Sequence, residues 1–194
     1  MKDESQHEML RRLDSVQAEL TKDYIKYWNE YSSFDSWQFW VILAMLIFPL
    51  ILLFFKMDRE RAFILGFFGY NVHIWFTYID MFGAKLGYWS YPYQVMPLFS
   101  VNFGLDVSFI PVVYMFLYQW VLKHNKNFYL YFLGLCGILG FVFKPLLVAL
   151  DLFELNKGAT YFHLFLGYIT IMIISKLITN LFFYFKRHLA TEKL

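Results

Sequence analysis

Residues 37 to 55 read Trp37-Gln38-Phe39-Trp40-Val41-Ile42-Leu43-Ala44-Met45-Leu46-Ile47-Phe48-Pro49-Leu50-Ile51-Leu52-Leu53-Phe54-Phe55, an apolar run with no charged residue. A helix needs about 20 apolar residues to cross a hydrocarbon core about 30 Å thick, so this stretch reads as a transmembrane helix. Its opening, with Trp37 and Trp40, has the amphipathic rings of an interfacial belt. Four more runs of similar length follow: 62–82, 98–122, 128–150 and 161–185. Pro97 marks a possible start of the third, and Pro111 inside it predicts a kink. The expectation is an all-α integral membrane bundle of five transmembrane helices over 37–185.

Composition agrees. The chain is 59% hydrophobic and only 16% charged, against about 25% charged residues in an ordinary soluble domain. Its mean hydropathy is +0.46. The single cysteine, Cys136, lies within an apolar run and has no partner for an intramolecular disulfide. The polar opening residues predict no cleaved leader, because the first apolar segment comes too late.

Residues 1–36 place Met9, Leu13, Val16, Leu20, Tyr24, Tyr27, Tyr31 and Phe34 at steps of three and four. That spacing predicts an amphipathic helix, which could dock on the bundle, lie on the membrane lipids, or engage a protein partner or a second copy. Residues 186–194 read as a basic tail.

Lysine and arginine in the connections set the orientation. Lys56, Arg59, Arg61, Lys123, Lys126, Lys186, Arg187 and Lys193 fall on one side, against Lys85, Lys157, Lys22 and Lys26 on the other. This favours an external amino terminus and a cytoplasmic carboxy terminus, although counting Lys2, Arg11 and Arg12 narrows the margin.

Polar residues inside the runs carry the functional reading. Charge at membrane depth costs several kcal/mol unless it is paired or wetted. In the second run Gly66, Tyr70, His73, Thr77 and Asp80 share a helical face. In the fourth, Gly134, Gly137, Phe141, Lys144, Val148 and Asp151 do the same, with Pro145 loosening the backbone beside Lys144. Alternation of five spans brings Asp80, Asp106, Lys144, Asp151 and His163 to one half of the bundle. Lys144 is expected either to snorkel or to pair with Asp80 or Asp106. Asp80, Asp106, Lys144, His73, Asp151 and His163 therefore form the candidate pocket. The competing reading is polar glue that only joins helices. Tyr88, Trp89, Tyr91 and Tyr93 fit an interfacial belt, with a cation cage as the alternative.

Metallopeptidase, paired-cysteine, nucleophile-elbow and phosphate-loop motifs are absent from the sequence. Metal, cofactor and catalytic residues are accordingly expected to be none, and dispersed basic residues give no nucleic-acid surface.

Ile79-Asp80, Trp89-Ser90-Tyr91-Pro92 and the stretch from Asp106 through Ile110-Pro111 to Tyr118-Gln119 resemble a family of small polytopic membrane proteins from Bacillus-like and Clostridium-like spore-forming bacteria. The resemblance covers the second and third runs and their connection, and implies an all-helical fold in a bacterial plasma membrane. That family brings no established activity, and the amino-terminal helix is not part of its pattern. The leading expectation is a pocket that binds or passes a proton, small cation or polar solute. The alternative is a structural or regulatory subunit whose amino-terminal helix binds a partner. A lipid- or isoprenoid-modifying enzyme is a third reading, and it would need a lipid-sized groove leading to Asp80 or Asp106.

Overall fold

The computed structural model describes residues 5–99 and 101–191, with 187–191 described in backbone only. Lys2, Lys193 and the side chain of Arg187, all counted for orientation, lie outside that description. The helices are α1 (Gln6–Tyr27), α2 (Trp37–Lys56), α3 (Ala62–Lys85), α4 (Ile110–Lys123), α5 (Phe128–Ile138), α6 (Lys144–Ala149) and α7 (Tyr161–Thr191). A π-helical turn, Gly104–Phe109, leads into α4, and another, Leu139–Phe143, joins α5 to α6 as one rod. Counting these rods, five helices among the described residues are long and apolar enough to cross a membrane.

α1 begins with a reciprocal cap, in which the Glu8 amide donates to Ser5 Oγ at 3.3 Å and the Ser5 amide to Glu8 Oε2 at 2.9 Å. None of its residues is buried. It is anchored at its root, where Trp28 Nε1 donates to the Gln94 carbonyl at 2.7 Å and the Gln94 amide donates to Ser32 Oγ at 2.8 Å.

α3 is the central helix and packs on α4 and α7. Its buried stripe is Leu65, Phe68, Gly69, Val72, Phe76, Asp80 and Gly83. Phe68, Tyr114, Tyr118 and Phe132 are among the largest fully buried side chains, and the Phe128 and Phe132 rings stack with centroids 4.1 Å apart. α2 is peripheral: among its residues only Phe39, Ile42 and Pro49 are buried, and it leans on the Gly104–Phe109 turn.

Each end of the bundle is tied. At the basic end Gln119 accepts from the Asp58 amide at 2.8 Å and donates to the Lys56 carbonyl at 3.1 Å, clamping α4 to the α2–α3 connection. At the other end β1 (Trp89–Ser90) and β2 (Glu154–Leu155) pair antiparallel, Trp89 with Leu155 and Ser90 with Glu154. Lys157 Nζ donates there to the Leu86 carbonyl at 2.6 Å.

Several expectations need correction. The third run starts its helical course at Phe103 and Gly104, five residues later than 98, because Asn102 caps it through its side chain to the Leu105 amide at 3.1 Å. Residues 186–191 continue α7, so within the described residues there is no separate tail. The expected inward face of α3 is also displaced: Tyr70 is 61% exposed and Gly66 faces open space. Both sides of α3 are apolar, so periodicity did not mark the buried one. In the fourth run Gly134 and Gly137 meet nothing, whereas Gly140 lies against α7. The π-helical turn adds a residue and rotates everything after it, so Lys144 follows Cys136 and Gly140 on the buried side.

A Cβ at Gly104 would come within 2.6 Å of the Ile42 carbonyl, a backbone atom that cannot step aside alone. Gly104→Ala is therefore expected to lower stability by about 1–3 kcal/mol, read as a reduced unfolding midpoint in detergent; an unchanged midpoint would contradict the close α2 contact.

Candidate functional site

The charged side chains are placed by a shared backbone device. In a π-helical turn an amide donates to the carbonyl five residues back, as Ile110 does to Leu105 and Lys144 to Leu139. The next residues are Pro111 and Pro145, which have no N–H. The Asp106 carbonyl thus loses its partner in that register. His73 supplies one: its Nδ1 lies 2.8 Å from the Asp106 carbonyl. A carbonyl only accepts, so this nitrogen carries the hydrogen. His73 holds the turn that presents Asp106 and does not itself enter the charged cluster.

Asp80 comes from the buried stripe of α3, one turn before its end, and is 5% exposed. Its Oδ1 accepts from Tyr91 Oη at 2.5 Å and from Trp89 Nε1 at 3.0 Å. Gly83 makes room for the indole, since a Cβ there would sit 2.0 Å from the Trp89 ring. Burial, with the Asp80 and Asp106 carboxyls beside it, pushes the Tyr91 phenol well above its ordinary value. Tyr91 consequently keeps its proton and serves as a donor.

Lys144 is 2% exposed, so it does not snorkel. Among the described residues it makes no direct ion pair either. Its Nζ donates to Tyr91 Oη at 3.5 Å and lies 3.6 Å above the centroid of the Phe153 ring. The cation and Asp80 are joined through one phenol. An aromatic seat for a cation is therefore present, with the protein's own lysine in it.

Asp106 is fully buried, and neither of its carboxyl oxygens meets a conventional donor; the same holds for Asp80 Oδ2. The two buried carboxyl groups are near enough to feel each other's charge. Two like charges buried together disfavour ionisation of both.

A cavity of about 50 Å³ opens beside the cluster, lined by Phe76, Asp80, Trp89, Lys144, His163 and Tyr168 among others. It has room for a few waters at about 10–15 Å³ each, and is far below the roughly 300–1,000 Å³ of small-molecule pockets. Tyr168 Oη in its wall is buried without a partner. Beneath it Phe76 and Tyr168 stack with centroids 5.8 Å apart, and Phe76 and Ile171 are buried.

No protein family, curated protein or solved structure matches this chain. The geometry alone therefore carries the functional reading.

The structure gathers Asp80, Asp106 and Lys144, puts His163 at the cavity mouth and leaves Asp151 outside. His163 is exposed, and its Nδ1 is engaged by the Thr160 amide at 3.1 Å and the Thr160 hydroxyl at 2.8 Å. Asp151 is exposed in the turn after α6, with φ of 57°; the helix ends at Ala149, so the helical spacing from Lys144 does not reach it. Trp89, Tyr91, Phe153 and Tyr168 belong to the site; Phe153 and Tyr168 were missed, and Trp89 and Tyr91 were read as a belt or a cation cage but not as donors to Asp80. Their signal was chemical, because a buried carboxylate needs donors and the nearest connection offered an indole and a phenol. Among the described residues no three His, Cys, Asp or Glu side chains gather as a metal site. A larger groove of about 430 Å³ runs between α1 and the α3–α4 connection, reaching Trp89 and Tyr91, and Asp80 is not in its lining.

Two predictions follow from these contacts. Tyr91→Phe removes the hydroxyl between cation and carboxylate and should lower stability by about 1.5–3 kcal/mol. Combined with Lys144→Met it should do less damage than the two single changes added together, measured by denaturant unfolding in detergent; strict additivity would refute the relay. His73→Ala should destabilise by about 1–3 kcal/mol by orphaning the Asp106 carbonyl. That loss should shrink in a Pro111→Ala background, where a backbone N–H returns; an equal loss in both backgrounds would refute the assignment.

Proposed function

We propose that this chain is an integral membrane protein whose polar centre binds a proton arriving from one side, and that α1 reads out the bound state. The observation that carries the reading is the pair of buried carboxyls, Asp80 and Asp106, with three oxygens that meet no donor, next to a cavity large enough only for water. In the resting centre Asp80 is ionised, since it alone receives the indole and phenol hydrogen bonds, and Asp106, whose oxygens meet no donor, carries a proton. With Lys144 the centre is then electrically neutral. A second cation would meet the Lys144 charge, and a polar solute would not fit the cavity, so the proton is the ligand favoured over the other two.

One-sided access is supported by the packing. The cavity lies toward the end that carries β1 and β2, while Phe76, Tyr168, Tyr114, Phe132 and Phe68 fill the bundle toward the basic end. Binding without conduction is the result. When Asp80 takes a proton, its bonds to Trp89 and Tyr91 lose their charge assistance, which is about half their strength. Those residues begin the connection whose Gln94 anchors Trp28 and Ser32 at the root of α1. The exposed stripe of Met9, Leu13, Val16 and Leu20 is the favoured place for a partner to sense that release, which joins the regulatory-subunit reading to the proton-binding one.

The test uses oriented proteoliposomes and two readouts: the infrared C=O band of protonated carboxyls, and a spin label at Leu13→Cys in a Cys136→Ser background. Neutral wild type should show a carboxylic band that Asp106→Asn removes. Acid on the β1–β2 face should enlarge the band and free the label, acid on the basic face should do neither, and Asp80→Asn should abolish both responses. A missing band, an equal response from both faces, or proton flux through the protein would overturn the reading.

A further inference from the structure

At the opposite end from the carboxyl pair, Lys176 of α7 stands without an anion. Its Nζ donates to Tyr118 Oη at 3.0 Å and lies 4.7 Å and 4.8 Å from the centroids of the Tyr118 and Phe128 rings. Among the described residues no carboxylate pairs with it. An ammonium has three hydrogens to give, and the phenol takes one. The rings attract the cation but leave it unneutralised.

Lys176 lines a groove of about 510 Å³ with Ile64, Tyr118, Leu122, Asn180 and Phe183. Across Ile64 and Phe183 lies a second groove of about 410 Å³, walled by Phe63, Phe67 and Phe182 and bordered by Arg61, Glu60 and Lys186. Arg61 is bonded to Asp58 at 3.3 Å, and Lys186 has no ion-pair partner among the described residues. Phe63 and Phe182 are 89% and 56% exposed, so the walls between the charges are apolar and open outward. Both volumes fall within the range of about 300–1,000 Å³ that takes ligands of moderate size.

We propose that these paired grooves hold an anionic phospholipid, its phosphate on Lys176 and Asn180 and its acyl chains along Ile64, Phe183 and Phe182. The proposal rests on the membrane reading above and is independent of the carboxyl pair. Charge complementarity selects the ligand: a half-buried ammonium with spare donors faces an apolar groove at the end where the connections are basic. Basic pockets between helices at that level take acidic headgroups. A zwitterionic lipid would bring its own cation to the lysine, and inorganic phosphate would leave the aromatic walls uncovered.

The experiment compares full-length protein in nanodiscs of phosphatidylcholine alone and of phosphatidylcholine with phosphatidylglycerol, reading the unfolding midpoint and the lipid retained in native mass spectrometry. Phosphatidylglycerol should raise the midpoint and be retained about fivefold over phosphatidylcholine, the preference expected of one lysine at a charged headgroup. Lys176→Gln should erase that preference, Lys176→Arg should keep it, and Lys123→Gln, outside the grooves, should leave it intact. Equal retention of the two lipids by folded wild type, a preference that survives Lys176→Gln, or protection in detergent by inorganic phosphate matching that by lipid would overturn the proposal. A chain that alkaline carbonate strips from membranes would instead overturn the membrane reading. Should Lys176→Gln fail to fold, loss of the preference in Asn180→Leu is the deciding result, and its persistence overturns the site.

Discussion

A buried carboxylate must be given hydrogen-bond donors, and Asp80 imposes that requirement on much of the molecule. Leaving such a group unpaired costs several kcal/mol, comparable to a large share of a domain's net stability. The α3–α4 connection is folded back so that Trp89 and Tyr91 reach Asp80 Oδ1. Gly83 is a glycine because the indole occupies the space of its side chain. The short β1–β2 pairing fixes Trp89 and Ser90 against the α6–α7 connection, so the donors are held from both sides. Phe153, just before β2, is also the ring beneath Lys144. One carboxylate thus accounts for the form of two connections.

The remaining charges arrive by a repeated arrangement. In α4 and in the α5–α6 rod, a π-helical turn ends in a proline: Leu105 to Ile110 before Pro111, and Leu139 to Lys144 before Pro145. The turn inserts a residue, and the proline ensures that the wider hydrogen-bond register is not continued. The extra residue rotates Lys144 into the core, while the π-helical turn before α4 carries Asp106. His73 then bonds the carbonyl that the proline leaves open. Polar residues that would be unfavourable in a regular helix become the fasteners of an irregular one.

The two ends of the bundle differ in chemistry. One holds the carboxyl pair, a water-sized cavity and the root of α1; the other holds unpaired cations among aromatic rings. The packed aromatic layer between them, including Phe68, Tyr114 and Phe132, separates the two. This separation would let the proposed proton-binding centre and lipid site exist in one small chain without competing for the same charges.

The helices themselves were legible in the sequence. Run length and the absence of charge in residues such as Val41 to Phe55 determine helices of membrane-spanning size, because only a helix satisfies its own backbone over such a stretch. Alternation of the runs by itself puts Asp80, Asp106 and Lys144 at one end. What sequence spacing could not supply was rotation. A residue inserted by a π-helical turn shifts every later side chain by about 100°, which is why Gly134 was expected on the Lys144 face and lies outside, whereas Asp151 lies outside because α6 ends at Ala149. Nor could it supply the donors, since Trp89 and Tyr91 have the composition of a membrane belt and become site residues only when the chain folds over Asp80. Sequence determined which segments are helical and which charges share a depth. Tertiary structure decided which of those charges meet, because that depends on helix rotation and on a connection whose path is set by the carboxylate it must satisfy.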